Sequence, residues 1–315
     1  MSGKGGSSGE IRRDADGRER FDDRPGFVWE GFRTMMSWVT VVPMPAANHP
    51  FDRTTGRRAV FFLPVVGLLF GILAMVIAAV GVVLQLPPLL PATGIVAGWL
   101  VANRMMHLDG LCDVGDALGS FAPPARAQQI LADKATGALG MGAAAVVLGI
   151  QVAGVYTVLS LPFPAVAVLL VGMIPVAGRI GGMLVTVRPN QPFNPQSFGA
   201  LMIGTVPKRW VAGWAVCVAV VWGLLLAAVV PAAVDSPLAA TGNVLQALTQ
   251  WFAVIPAAAL LLLLLVSARW VRYLSAAFDG LNGDCIGATV EFATASAAVF
   301  IALLAYAVAT VGGII

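Results

Sequence analysis

The acidic run from His107 to Asp116 is the part of this sequence best suited to chemistry. It reads His107-Leu-Asp109-Gly-Leu-Cys-Asp113-Val-Gly-Asp116, so the three acids stand at i, i+4 and i+7. At about 3.6 residues per turn, this spacing places all three carboxylates on one face of a helix. Like charges at such spacing repel each other, and no Lys or Arg lies between them. A divalent cation that prefers oxygen ligands, such as Mg²⁺, would relieve the repulsion.

The same residues have a simpler interpretation. The three acids could form a solvated acidic face at the end of a helix, with nothing bound to them. His107 could be an ordinary residue at the membrane interface, or it could contact a phosphate or a ribose beside the acids.

Three charged residues follow in the next part of the chain. Arg126 precedes the run Asp133-Lys134-Ala-Thr-Gly137-Ala-Leu-Gly140, which leads into an apolar stretch. Asp133 could be a fourth metal ligand or a general base, or it could cap the helix that starts there. The glycines permit close approach of the backbone to a neighbouring helix or a ligand.

Two further groups of polar residues flank later apolar stretches. Arg179 lies inside one of them, where an unpaired charge costs about 2.5 kcal/mol or more, so we expect it to meet an acid or a phosphate. Arg188 opens a polar loop. Asp284 and Glu291 are seven residues apart, hence on one helix face, and Asn282 precedes them.

The composition is that of a membrane protein. Of the 315 residues, 58% are hydrophobic and 11% are charged, against about 25% charged in soluble domains. These values exclude a soluble globular enzyme and a disordered protein. The net charge of +3 is small and its basic residues are scattered, which argues against nucleic acid as a partner.

We therefore predict an all-α fold, a polytopic transmembrane helical bundle of about seven spans. A span needs about 20 helical residues. The apolar stretches lie near 60–85, 89–106, 138–160, 164–186, 209–232, 249–268 and 288–312. The segment 30–45 predicts an interfacial N-terminal helix, and the polar residues 1–28 predict a disordered cytoplasmic tail. Residues 29–315 would form one multi-pass membrane catalytic domain.

Charge placement predicts the orientation of this bundle. All 19 Lys and Arg lie in the tail, in the loops 29–59, 107–137, 187–208 and 269–287, or at adjoining span ends. The opposite loops, 86–88, 161–163 and 233–248, hold none. The positive-inside rule then places the N-terminus in the cytoplasm. Of the 16 acids only Asp235 falls on the far side, so we expect a polar active site that faces the cytoplasm.

Four segments together resemble a known family. HLDGLCDVGDALG is similar to the HxDGxxDxxDG signature of cobalamin synthases, the adenosylcobinamide-GDP ribazoletransferases. RAQQILADKATGALG, then Arg179 with Arg188-Pro189, and finally GLNGDCIGATVE resemble further family segments in the same order. The resemblance covers about residues 30–315.

This resemblance implies a Mg²⁺-dependent transferase of the bacterial cytoplasmic (inner) membrane. The hydroxyl of α-ribazole, or of its 5′-phosphate, would attack adenosylcobinamide-GDP and release GMP, which gives adenosylcobalamin or its 5′-phosphate. The metal ligands would be Asp109, Asp113, Asp116 and Asp133, with Asp133 and His107 as catalytic groups. The substrate-binding residues would be Arg126, Lys134, Arg179, Arg188, Asn282, Asp284 and Glu291. The lipid bilayer is the other expected partner, and a homo-oligomer stays open.

Two alternatives come from other classes of protein. A CDP-alcohol phosphotransferase also uses spaced aspartates and Mg²⁺, but the Ala-Arg pair that its motif places after Asp-Gly does not follow Asp109-Gly110 at that position. A membrane transporter would place inverted repeats and broken helices at the bilayer midplane, whereas the acids here gather at one end of the spans.

Overall fold

The computed structural model describes residues 27–45, 51–133, 135–233 and 242–312, and within them the chain is a helical bundle. In chain order the helices are α1 (Phe27–Val39), α2 (Arg53–Phe61), α3 (Leu63–Val83), α4 (Leu89–Ala102), α5 (Met106–Gly119), α6 (Pro124–Leu131), α7 (Ala138–Leu159), α8 (Pro164–Thr186), α9 (Lys208–Ala233), α10 (Gly242–Ala277) and α11 (Gly283–Val311). A short 3₁₀ helix, Phe198–Leu201, precedes α9. The predicted all-α class is confirmed.

Six helical segments in the described part of the chain are long and apolar enough to cross a membrane. They are α2 and α3 taken together, α7, α8, α9, α10 and α11. The stretch near 89–106 instead forms α4, which has 14 residues and is shorter than the about 20 that a span requires. The protein is therefore a multi-pass membrane protein with six long apolar helices and a seventh, shorter one.

Helix α8 lies at the centre of the bundle. It packs against α3, α7, α9, α10 and α11. In the most apolar part of the helix, 83% of the residues are buried. Small residues permit these contacts: Gly71 of α3 meets the carbonyl of Gly172, and Gly178 of α8 meets the hydroxyl of Thr294 in α11. Close approach at small residues is the usual way in which membrane helices pack.

The predicted inside loops are more helical than expected. The segment 107–137 contains α5 and α6, and 29–59 contains most of α1 together with the start of α2. The predicted loop 269–287 is wrong as a loop, because α10 runs on to Ala277 and only residues 278–282 connect it to α11. Hydropathy drops where the charged residues begin, but the helix continues beyond that point.

Helix α1 is held against α2 by a buried ion pair. The Arg58 guanidinium of α2, 2% exposed, donates to the Glu30 carboxylate over 2.8 Å. The helix begins at Phe27, so the last two residues of the predicted tail are helical, and residues 1–26 lie outside the described part. A helix near 30–45 is confirmed, while its place at the membrane interface stays a prediction.

Two connections on one end of the bundle are bound to each other. In the segment between α8 and α9, Phe193 donates its amide to the Leu281 carbonyl over 3.1 Å, and Leu281 returns a bond to the Gln191 carbonyl over 3.0 Å. Helix α6 joins them, since the Gln128 amide donates to the Phe278 carbonyl over 2.8 Å. These bonds hold the start of α11 in place beside α5 and α6.

Candidate active site

Asp109 and Asp113 of α5 interact electrostatically with a further acid, Asp284 of α11. Burial first, and then the negative charges of Asp284, Asp109 and Asp116, raise the pKa of Asp113 to about 7. Asp109 is exposed, whereas Asp113, Asp116 and Asp284 are half-buried. The predicted helix face of three acids is confirmed, and carboxylates from two helices share one region. We refer to Asp109, Asp113 and Asp284 as the carboxylate cluster.

Two glycines allow α5 and α11 to come so close. A Cβ added at Gly110 would lie 2.8 Å from the carbonyl oxygen of Asp284 and 3.0 Å from its Cα. One built at Gly287 would lie 3.1 Å from both the Cα and the carbonyl oxygen of His107. Each helix therefore presents a glycine to the backbone of the other. This contact brings Asp284 beside the α5 acids.

Asn282 orients the α11 member of the cluster. It is the N-cap of α11, where its side-chain oxygen accepts the Cys285 amide over 3.1 Å. Its side-chain nitrogen donates to a carboxylate oxygen of Asp284 over 2.6 Å. The predicted substrate-binding residue Asn282 thus holds the helix start and the Asp284 carboxylate together.

Asp116 points to a different neighbour. Its carboxylate oxygens accept the backbone amides of Gly137, over 2.6 Å, and Gly140, over 2.8 Å. These amides belong to the N-terminal turn of α7, which favours a negative charge. The alternative role of Asp133 as the cap of this helix is wrong, because Gly137 is the N-cap and Asp133 accepts the Ala135 amide over 3.1 Å instead.

His107, at the start of α5, lies in the interior of the bundle. It is 4% exposed, and its Nδ1 lies 3.4 Å from the side-chain nitrogen of Asn103. Burial, and next the positive charge of Arg179, lower the pKa of His107 to about 3. The imidazole is therefore neutral at neutral pH and has no charge to offer a phosphate.

Arg179 and Glu291 are also enclosed, at 2% and 5% exposed. The Arg179 guanidinium donates to the Pro175 carbonyl over 3.2 Å and lies 4.5 Å from the centre of the Phe70 ring. Its charge interacts with that of Glu291. Glu291 accepts a 2.7 Å bond from the side-chain amide of Gln151. The acid that Arg179 was expected to meet is thus Glu291, which interacts with it by charge in the interior of the bundle.

Gln151 is a site residue that the sequence analysis did not single out. It is 1% exposed and donates to both the carboxylate and the backbone carbonyl of Glu291. A signal was present, because an amide side chain inside an otherwise apolar span usually bonds to a neighbouring helix.

The remaining predicted residues lie at the periphery. Arg126 is exposed on α6 and donates to the Gln129 side chain over 2.9 Å. Arg188 is half-buried, and its backbone amide donates to the Val206 carbonyl over 3.0 Å. Lys134 lies outside the described residues. Their predicted contacts with substrate phosphates stay predictions.

The cluster fits a divalent cation by its chemistry. Carboxylate oxygens are the ligands that Mg²⁺ prefers, and this ion usually keeps waters and takes phosphate oxygens from its substrate. Burial is the main cause of the raised pKa of Asp113, and the neighbouring carboxylates raise it further by repulsion that a cation would relieve. Among the described residues, no group of three or more Asp, Glu, His or Cys side chains is arranged closely enough to hold a metal ion by itself. Substrate oxygens would therefore have to complete the coordination.

Comparison with known sequences identifies the family. The profile of the family described as Cobalamin-5-phosphate synthase matches residues 31–302. The chain belongs to this family. An adenosylcobinamide-GDP ribazoletransferase from Corynebacterium efficiens is 40% identical over 275 residues, which is 87% of this chain and 91% of the relative. Relatives of the same name from Corynebacterium diphtheriae and Corynebacterium glutamicum are 36% identical over 276 residues and 43% identical over 218 residues.

The relatives from Corynebacterium diphtheriae and Corynebacterium glutamicum are covered to different extents. The alignment takes in 88% of this chain and 92% of the Corynebacterium diphtheriae protein, and 68% of both partners for Corynebacterium glutamicum. No solved structure matches the chain. As a member of the cobalamin-5-phosphate synthase family with relatives named as transferases, the chain is an enzyme of cobalamin biosynthesis, which favours the predicted transferase over the transporter alternative.

Proposed function

We propose that this enzyme joins α-ribazole, or α-ribazole 5′-phosphate, to adenosylcobinamide-GDP with release of GMP. The observation that carries the proposal is the meeting of carboxylates from α5 and α11 in a chain of this family. The relatives are named adenosylcobinamide-GDP ribazoletransferases, and this name indicates the two substrates.

The bond changes are those of a phosphoryl transfer. The ribazole hydroxyl oxygen forms a bond to the cobinamide-side phosphorus, and the bond from that phosphorus to the bridging oxygen breaks. GMP leaves with the bridging oxygen, and the hydroxyl proton passes to a base. Such reactions depend mainly on positioning and charge neutralisation.

The residues divide these tasks. Asp109, Asp113 and Asp284 would hold Mg²⁺, and Asp116 and Asp133 stay further candidates for ligand and base. Bound Mg²⁺ supplies neutralisation of the diphosphate charge. Asn282 orients Asp284 through its 2.6 Å bond.

The predicted phosphate contacts come from basic residues at the same end of the bundle. Arg126 of α6 and Arg188 of the loop after α8 would contact substrate phosphates. Arg179, which is 2% exposed, would act through the field that it contributes inside the bundle.

The test is GMP release by the purified enzyme in detergent. We expect release that requires Mg²⁺ and stops with a chelator. Asp113→Asn should abolish release, whereas the matched control Asp279→Asn should retain it, because Asp279 is an exposed acid in the connection before α11. Its φ of 49° is one that Asn also tolerates. Full release by Asp113→Asn would overturn the metal assignment, and a wild-type enzyme without release would overturn the function.

We further propose that the cluster faces the cytoplasm of a bacterial inner membrane. The support is the positive-inside rule, since all 19 Lys and Arg fall in the predicted tail, in the predicted inside loops or at adjoining span ends of the sequence. In a variant without the three native cysteines, Ser120→Cys should react with an impermeant maleimide in inside-out vesicles alone. Labelling of intact spheroplasts would contradict this orientation.

A further inference from the structure

Three aromatic side chains from separate parts of the chain pack together beside the 3₁₀ helix. The centre of the Trp38 ring lies 4.2 Å from that of Phe51 and 4.7 Å from that of Phe198. Phe51 and Phe198 are stacked, with centres 5.3 Å apart. Phe198 is 55% exposed, although the other two rings are partly covered. We call these three residues the aromatic platform.

The platform adjoins the carboxylate cluster. A Cβ added at Gly199, the residue after Phe198, would lie 2.5 Å from the Gly283 amide nitrogen and 3.0 Å from its Cα. Consecutive Cα atoms are about 3.8 Å apart. The path from Phe198 through Gly199 and Gly283 to Asp284 therefore limits their Cα separation to about 12 Å.

The segment that carries Phe198 is fixed from two sides. The guanidinium of Arg53 donates to the carbonyls of Ala200 and, over 3.3 Å, Ile203. The start of α11 closes the other side through Gly199. Phe198 is thus a partly exposed ring on a supported backbone, which costs little ordering when a ligand binds.

We propose that Phe198, supported by Trp38 and Phe51, stacks on the flat heteroaromatic base of a substrate whose phosphate or hydroxyl lies at the carboxylate cluster. The inference rests on the proposed function, in which both substrates carry such a base joined through a ribose. An aromatic side chain can stack on almost any nucleobase, because every base has a π face. The base is the guanine of the GDP group or the base of ribazole, and the experiment distinguishes the two.

The variants distinguish three possible contributions of Phe198: its aromatic ring, its apolar volume and anchoring at the membrane interface. Phe198→Ala removes the side chain, Phe198→Leu keeps apolar volume without a ring, and Phe198→Tyr keeps the ring. Trp29→Ala is the matched control, since Trp29 is 56% exposed at the start of α1, the opposite end of that helix from Trp38. Each purified protein is checked for helix content and monodispersity before use.

Two measurements follow on each variant. The first is KM and kcat for adenosylcobinamide-GDP and for α-ribazole, and the second is calorimetric binding of GMP. Loss of one stacked base should raise KM for one substrate by about 5- to 150-fold in both Phe198→Ala and Phe198→Leu. Phe198→Tyr and Trp29→Ala should stay near wild type. A matching loss of GMP affinity assigns the base as guanine, and unchanged GMP affinity assigns it as that of ribazole.

Other outcomes overturn the inference. If both KM values and GMP binding are unchanged in Phe198→Leu, no base stacks there. A loss of membrane insertion shared with Trp29→Ala, without a change in KM, would make Phe198 an interfacial anchor instead. A wild-type enzyme that releases no GMP would overturn the proposed function, whereas normal turnover with unaltered KM values in the variants overturns this inference alone.

Discussion

Asp116→Asn provides a sharp test of what the third acid of α5 does. Its carboxylate accepts the Gly137 and Gly140 amides over 2.6 and 2.8 Å. Asparagine keeps one acceptor oxygen and turns an amino group toward an amide donor. The loss of one hydrogen bond to a charged group costs about 1.5–3 kcal/mol. The loss of the negative charge at the start of α7 adds about 0.3–1 kcal/mol.

The total, about 2–4 kcal/mol, should appear as local opening of the first turn of α7. Hydrogen–deuterium exchange measured on peptides that span 135–145 reports it directly. We expect protection there to fall by about 30- to 900-fold. Asp113→Asn, three residues earlier on the same helix, is the control and should leave this protection unchanged. Unchanged protection in Asp116→Asn, together with lost Mg²⁺ binding, would refute the capping role.

Three further predictions concern the neighbouring groups. In metal-free enzyme, stability should fall as pH rises from 3.8 to about 7, because the folded state holds the Asp113 proton more tightly than the unfolded chain. Asp113→Asn should flatten this part of the melting-temperature profile, and an unaltered profile would contradict the raised pKa. Gly110→Ala should lower the melting temperature and GMP release, because its Cβ would lie 2.8 Å from a backbone oxygen, whereas Gly149→Ala has open space and should do neither. In a double-mutant cycle, Arg179→Met and Glu291→Gln should be non-additive by about 0.5–3 kcal/mol, and additive losses would show that their charges are uncoupled.

The sequence predicted the parts of this structure that depend on helical periodicity. The spacing of Asp109, Asp113 and Asp116 determines one helix face in any α-helix, and α5 has that face. Of the seven apolar stretches predicted as spans, six form helices long enough to cross a membrane, and the stretch near 89–106 forms the shorter α4. The resemblance of the segment around Asp284 to a family segment predicted that it belongs with the α5 acids.

Features that depend on packing between distant segments could not be predicted in the same way. The partners of Asp116 are backbone amides more than 20 residues away, and amides carry no sequence signal. Short helices such as α5 and α6 are amphipathic, so a hydropathy profile treats them as loops. For the same reason the profile ended one span near 268, although α10 continues to Ala277.

The paired glycine contact between α5 and α11 has a consequence for ion choice. Main chain rests against main chain at Gly110 and Gly287, so side-chain rotamers have little influence on how far apart the two helices stand. Calcium needs oxygens at about 2.3–2.6 Å, against about 2.0–2.1 Å for magnesium. Under the proposed metal assignment, a larger ion would require a wider separation of the two helices, which their backbone contact at the glycines resists. Selection of the smaller ion would then depend on Gly110 and Gly287, two residues that have no side chains.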